Sequence, residues 1–323
     1  MKNNCLILGA GSWGTAIANV LAQNGVNTTI WARNSKITND INILKINRKY
    51  FPKIKLSKNL KSISGHFDGS QYDFIFYVIP ASNFEQYANL YLLGQKIKNL
   101  IICSKGVSKN GEYLSYLSSK LLNVKNLYFF SGPSFADEVL HGRPTAISIS
   151  GKNSLEKVGR LFLKSNIRVY FSKNIKSIEF LGIIKNIYAI GSGMVEGLKL
   201  GENARAAYIT RCIHEIKIAL KLYNLDSNQI FSLAGLGDLL LSCSSKKSRN
   251  YNFGYMYIAN KSSIKNLKKT IEGLQSAINL QRNKNFKYKS MPILNSIIKI
   301  LNGKNAMKEV KNLLERKFKY EKF

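Results

Sequence analysis

The stretch Cys5-Leu6-Ile7-Leu8-Gly9-Ala10-Gly11-Ser12-Trp13-Gly14-Thr15-Ala16 constrains this chain more than any other. Four apolar residues lead into glycines at 9, 11 and 14, and Thr15 to Asn24 reads as a helix. A strand, a glycine turn and a helix in that order form a dinucleotide site. Gly9 allows the tight turn, and Gly11 lets the backbone approach a pyrophosphate. Gly14 lets the helix pack on the strand, whose partner helix offers free N–H groups to the phosphates.

A second strand is expected over Asn27 to Ala32. NAD sites usually place a carboxylate about 20 residues past the glycines, on the ribose 2′-hydroxyl. This chain has Trp31-Ala32-Arg33-Asn34 there, with Lys36 nearby. A carboxylate would repel a 2′-phosphate, whereas a guanidinium grips one through paired hydrogen bonds. Arg33 is therefore the expected reader, with NADPH preferred over NADH.

The chain has 323 residues, enough for two domains, and a 45% hydrophobic content that can fill their cores. No unbroken apolar run approaches the ~18 residues of a membrane span. The short N-terminal run enters the glycine turn directly, so it does not read as a signal peptide. Cys5, Cys103, Cys212 and Cys243 are scattered without a C-x-x-C pair, as expected of buried thiols in a reducing cytoplasm. Neither a disulfide nor a metal site is indicated. The net charge of +31 raises the question of nucleic acid. The lysines are spread along the chain with no dense basic block and no DNA-binding motif, so a solvated lysine-rich surface is the expected reading.

Thr38 to Ser64 is polar and lysine-rich and reads as a helix and loop crossing over. Three buried strands follow: Phe74 to Ile79, Leu100 to Cys103 and Leu127 to Phe130. Each is apolar on both faces, as in a parallel sheet covered by helices. Helical segments over Ser82–Leu93 and Tyr113–Leu122 separate them, giving a doubly wound α/β domain. Thr145 to Ser150 and Arg168 to Phe171 are expected to complete the sheet. Ligands of such sheets bind beyond the carboxyl ends of the strands, where Gly9 to Gly14, Lys105 and Gly132 to Ser134 are expected.

After Lys173 the pattern turns helical. Ile178, Leu181, Lys185, Tyr188 and Ala189 share a helical face, so Lys185 lies on an apolar stripe. Such a lysine either snorkels to water or is buried with a lowered pKa, which would suit a general acid. A helix is expected from an N-cap at Asn203 to about Tyr223. Arg249, between Ser248 and Asn250, is either a phosphate clamp or part of a surface turn. Ile264 to Leu280 and Pro292 onward read as amphipathic helices, with a fraying tail from Leu313. His66, His141 and His214 show no triad or metal spacing, which favours a lysine acid over a histidine relay.

Taken together, these stretches resemble the bacterial NAD(P)-dependent glycerol-3-phosphate dehydrogenases along essentially the whole chain. The resemblance is carried by the glycine turn, Ser104-Lys105-Gly106, Ser131-Gly132-Pro133-Ser134-Phe135-Ala136 and Lys185-Asn186. It continues through Leu200-Gly201-Glu202-Asn203-Ala204-Arg205-Ala206, Ala234-Gly235-Leu236-Gly237-Asp238-Leu239, Ser248-Arg249-Asn250 and Glu272-Gly273. It implies reversible reduction of dihydroxyacetone phosphate to sn-glycerol 3-phosphate, feeding phospholipid synthesis. Cofactor contacts would fall on Gly9, Gly11, Ser12, Trp13, Gly14, Arg33, Lys105, Ala136, Arg249, Thr270 and Glu272. Substrate contacts would fall on Lys105, Gly132, Ser134, Lys185, Asp238, Ser248, Arg249 and Asn250. Lys185 would be the proton donor to the carbonyl oxygen, with Lys105 and Asp238 completing the catalytic set. Departures are Ser172 to Gly182, which is less like the family, and Thr270, Cys212 and His214.

The expected architecture is thus a Rossmann-type doubly wound α/β domain over residues 1–174 and an all-α substrate domain over 175–323. Small molecules are the expected partners, with no nucleic acid and no membrane span. A homodimer is compatible with this reading, and so is a cytoplasmic location. The alternatives are a catalytically silent dinucleotide-sensing regulator and a related two-domain hydroxy-acid dehydrogenase, which would need no phosphate clamp.

Overall fold

The computed structural model of the chain describes residues 3–259, 271–317 and 320. The chain divides into two compact units. The first comprises Met1–Ser104 and Tyr113–Ile178, the second Lys105–Glu112 and Glu179–Phe323.

The first unit is built on an eight-stranded sheet of order β3-β2-β1-β4-β5-β6-β7-β8. The strands are β1 (Asn4–Leu8), β2 (Asn27–Trp31), β3 (Lys61–Ile63), β4 (Phe74–Tyr77), β5 (Lys96–Ile102), β6 (Asn123–Ser131), β7 (Thr145–Gly151) and β8 (Ile167–Ser172). β1 to β6 are parallel, and β1 lies between β2 and β4. Cys5, Leu6, Ile7 and Leu8 are fully buried, as befits the central strand of a sheet covered on both faces. The helices between the strands are α1 (Ser12–Gln23), α2 (Ser35–Asn39), α3 (Phe84–Tyr91), α4 (Leu114–Leu121), α5 (Ala136–Leu140) and α6 (Leu155–Arg160). The core gathers Ile7, Ile17, Leu21, Phe76 and Phe130 around α1.

Two features depart from the sequence-based expectation. The polar segment 38–64 contains the short edge strand β3, whose alternating Lys61-Ser62-Ile63 carries no apolar run. The sheet is not wholly parallel, because β7 runs antiparallel to β6 and β8 parallel to β7. The link from β6 to β7 is short, with only α5 between them, and its residues need not cross back over the sheet.

The second unit is helical: α7 (Ile175–Gly197), α8 (Glu202–Leu222), α9 (Asp238–Ser244), α10 (Arg249–Ala259), α11 (Glu272–Leu280), α12 (Pro292–Leu301) and α13 (Ala306–Leu314). The chain enters this unit within α7. By length and composition α7 would cross a membrane, with a mean hydropathy of 1.3, yet that window is wholly buried in the protein. It is a core helix, apolar all round. Lys176, Glu179 and Lys185 interrupt its apolar run, so a search for unbroken runs passes over it. α8 is capped by Gly201 at φ +87°, not by Asn203, since the reversal before the helix requires the left-handed region. The segment 264–270 of an expected helix lies outside the described residues, and α11 begins at Glu272.

Candidate active site

The glycine turn follows β1 at the carboxyl edge of the parallel strands. Gly9 has φ +125°, a conformation closed to side-chain-bearing residues. A Cβ on Gly14 would lie 1.9 Å from the Gly9 carbonyl oxygen, so only glycine permits this approach of α1 to the turn. A Cβ on Gly11 would meet nothing within 4 Å, so the backbone there faces open space. Gly11 caps α1 without a side-chain acceptor, which leaves first-turn N–H groups for an anion. Buried Asn47 braces the turn, donating to the Ala10 carbonyl at 3.1 Å and to Thr15 Oγ1 at 2.8 Å. These features fit a dinucleotide pyrophosphate. Ser12 opens α1, and Trp13 stacks on Phe130 with its indole nitrogen buried and without a hydrogen-bond partner among the described residues.

Arg33 is exposed just beyond β2, and its guanidinium approaches the Tyr87 hydroxyl at 3.5 Å. Gly132 and Ser134 follow β6 at the same carboxyl edge of the sheet, and Ala136 starts α5. Ser134 Oγ donates to the Gly132 carbonyl at 3.0 Å. Asn47 escaped the sequence reading because its role depends on a loop folding back across 37 residues.

In the second unit, Lys105, Lys185 and Asp238 come together. Lys105 Nζ donates to one oxygen of the Asp238 carboxylate at 2.7 Å, and Lys185 Nζ to the other at 2.9 Å. Lys185 also donates to Ser242 Oγ at 2.8 Å. Asp238 is 2% exposed and Lys185 7%, so the stripe lysine is buried and does not snorkel. Burial presses the Lys185 amine below the ordinary lysine range, and the Lys105 cation pushes the same way. Asp238 opposes both without cancelling them. For Asp238 the order reverses: burial pushes its carboxyl up, but the two ammonium groups outweigh burial and hold it below the usual range. The carboxylate stays ionised between two amines.

Local sequence explains the placement. Leu233–Gly237 winds as a wide π-type turn, a form frequent at functional sites, and delivers Asp238 to the start of α9. A Cβ on Gly235 would come within 2.3 Å of the Ile230 carbonyl oxygen, so that turn needs glycine. Ser242 is one turn on from Asp238 and shares its face, so its i, i+4 spacing is a signal present in the sequence.

A chain of amides runs beside the centre. The Gly273 N–H donates to Asn250 Oδ1 at 3.0 Å. Asn250 Nδ2 donates to Asn186 Oδ1 at 2.8 Å, and Asn186 Nδ2 to the Lys105 carbonyl at 3.1 Å. Ser248 is buried ahead of α10, its Oγ accepting from the Tyr251 N–H, and Arg249 is exposed at the first position of that helix. Glu272 opens α11 and acts on Lys185 through its charge. Thr270 lies outside the described residues. Among the described residues no cluster of His, Cys, Asp and Glu could hold a metal ion.

Comparison with known proteins gives two family matches. Residues 4–156 match the model for the NAD-dependent glycerol-3-phosphate dehydrogenase N-terminus, and residues 174–312 the model for its C-terminus. The glycerol-3-phosphate dehydrogenase [NAD(P)+] of Erythrobacter litoralis is 32% identical over 99% of this chain and 98% of its own. That of Carboxydothermus hydrogenoformans is 35% identical over 91% of each. Among solved structures, glycerol-3-phosphate dehydrogenase from Coxiella burnetii superposes with a TM-score of 0.87 at 30% identity, covering 98% of this chain and 99% of that one.

Proposed function

The chain belongs to the NAD-dependent glycerol-3-phosphate dehydrogenase family, and from that premise we propose that Lys185, Lys105 and Asp238 are the catalytic centre of its reaction. The protein is an NAD(P)-dependent oxidoreductase that interconverts dihydroxyacetone phosphate and sn-glycerol 3-phosphate. The observation that carries the residue assignment is the convergence of two amines on one buried carboxylate.

NAD(P)H, when bound, supplies the hydride for the ketone carbon. Everything else falls to side chains. Negative charge grows on the carbonyl oxygen as the ketone is reduced, and an ammonium held in a low-dielectric site stabilises it strongly. Lys185 Nζ donates its proton to that oxygen; in the reverse direction the neutral amine takes the proton from the alcohol. Its lowered pKa eases release of the proton to that oxygen. Lys105 adds a second positive charge, and Asp238 fixes both amines in direction. Arg249 grips the phosphate with Ser248 and Asn250 beside it, which orients the three-carbon chain. Gly132 and Ser134 complete the substrate contacts.

On the cofactor side, Gly9, Gly11, Ser12, Trp13 and Gly14 hold the pyrophosphate, with Ala136, Thr270 and Glu272 as further contacts. Arg33 selects the 2′-phosphate of NADPH. Residues 1–174 serve the cofactor and 175–323 the substrate, while Lys105 packs with the second group. The four cysteines are buried and form no disulfide, which supports a reducing, cytoplasmic setting. There the product feeds phospholipid synthesis.

A hydroxy-acid substrate or a silent cofactor sensor would leave a phosphate clamp without use. NADPH oxidation measured with dihydroxyacetone phosphate and with unphosphorylated dihydroxyacetone separates these readings. Turnover should require the phosphate, with kcat/KM lower by several hundredfold or more without it, since the clamp orients the reacting carbon. Equal rates on the two ketones, or NADPH binding without turnover, would overturn the assignment.

A further inference from the structure

Lys105 sits on a loop, 105–112, that leaves the sheet in sequence yet groups with the helical unit. The loop is internally braced. The Ser108 N–H donates to the Glu112 carbonyl at 3.0 Å, and Ser108 Oγ accepts from the N–H groups of Asn110 and Glu112. Ser108 is fully buried. These bonds tie residues 108–112 into one turn, so the attachments of that turn bear on where Lys105 stands.

Those attachments come from α11 and the turn after it. Asn279 Nδ2 donates to the Ser108 carbonyl at 2.9 Å across 171 residues of sequence. Arg282 donates to the Lys109 carbonyl at 3.0 Å, and Asn283 Nδ2 to the Gly111 carbonyl at 2.8 Å. Gly111 has φ +78°, and a Cβ there would lie 2.5 Å from the Asn279 carbonyl oxygen, so the loop and helix approach as closely as backbones allow. Asn279 is 0% exposed, and Gln275 Nε2 donates to its Oδ1 at 3.0 Å, which fixes the amide's direction. A buried asparagine with every polar atom oriented is a costly and specific device.

We propose that Asn279 is a positioning residue for the reaction: through the Ser108 carbonyl it holds the 105–112 loop so that the Lys105 amine meets the Asp238 carboxylate. The proposal rests on the reading of Lys105, Lys185 and Asp238 as the catalytic centre. Asn279 touches none of the reacting groups. It acts on Lys105 alone, while Asn186 holds the loop's other end at the Lys105 carbonyl.

The test compares Asn279→Leu, Asn283→Ala, Lys105→Met and the double variant Asn279→Leu/Lys105→Met in the full-length protein. Asn279→Leu should lower kcat by about tenfold or more, since an ångström of displacement costs up to about 100-fold, with KM for NADPH unchanged. Asn283→Ala, which removes a half-exposed attachment, should move kcat the same way by less. A second readout is the pH profile of kcat for ketone reduction. The titratable groups around Lys185 are Asp238 and Cys243 on α9, Lys105 on the loop and Glu272 on α11. As Lys105 backs away, the Lys185 amine holds its proton to higher pH, so the descending limb should shift to alkaline values. Lys105→Met should shift it the same way, and Asn279→Leu should add nothing to that variant. A lower melting temperature with unchanged kcat and pH profile, or defects that multiply in the double variant, would overturn the proposal. Wild-type turnover by Lys105→Met would overturn the reading of the centre itself, and the proposal with it.

Discussion

Three ionisable side chains decide the chemistry, and their surroundings set their states. Lys185 is buried beside one carboxylate and one further ammonium, and the lowered pKa follows from burial first and Lys105 second. The sign of the pH effect follows directly. Ketone reduction uses the protonated amine, so kcat should be level at lower pH and fall as pH rises through the depressed value. Glycerol 3-phosphate oxidation uses the neutral amine and should rise over the same interval. Paired pH–rate profiles in the two directions check this, and parallel profiles would remove Lys185 from proton transfer. Arg33 invites a separate test. It is exposed, and its guanidinium approaches the Tyr87 hydroxyl at 3.5 Å. Arg33→Asp should turn the ratio of kcat/KM values toward NADH by about tenfold or more, because a charge-assisted phosphate contact becomes a repulsion. An unchanged ratio would show that another residue reads the ribose.

Among the elements, α7 is the one on which the second unit depends. Ser177 to Val195 is buried without interruption, and its glycines bring neighbours to backbone contact. A Cβ on Gly193 would lie 1.9 Å from the Tyr251 carbonyl oxygen, and one on Gly254 would lie 1.9 Å from that of Ile190. α7 and α10 thus pack backbone on backbone, which sets the register of Lys185-Asn186 against Asn250. Gly193→Ala and Gly254→Ala should each cost about 1–3 kcal/mol, since the opposing atoms are main chain and cannot yield as a side chain would. Denaturant titration reads this as a lower midpoint at constant slope; an unchanged midpoint would mean that the helices separate freely. This level also divides what sequence reveals from what it hides. The strand–turn–helix of Gly9 to Gly14 was legible because turn, strand and helix are contiguous and each glycine has a local reason. The stripe placing Lys185 was legible from helical spacing, but its burial was not, since a stripe lysine reads equally as snorkelling. β3 stayed hidden because three residues at a sheet edge have no pattern of their own. The antiparallel β7 stayed hidden because strand direction depends on the connection, not on the strand.

At the scale of the molecule, the two family matches and the full-length relatives agree with the architecture. The net charge of +31 enters the chemistry only through the few cations that hold anions; most basic residues are exposed and scattered. What sequence cannot convey is convergence. Lys105 and Asp238 lie 133 residues apart in sequence, and Lys185 and Asp238 lie 53 apart, yet ion pairs join all three. Each looks ordinary in its own neighbourhood, and only folding makes them one group. The central claim is that this group moves the proton, and Lys185→Ala tests it most directly. Steady-state NADPH oxidation with saturating dihydroxyacetone phosphate should show kcat lower by about a hundredfold to ten-thousandfold, the usual contribution of a positioned acid. KM should change little, whereas Arg249→Ala should chiefly raise KM. A folded Lys185→Ala protein that turns over near the wild-type rate would contradict the account.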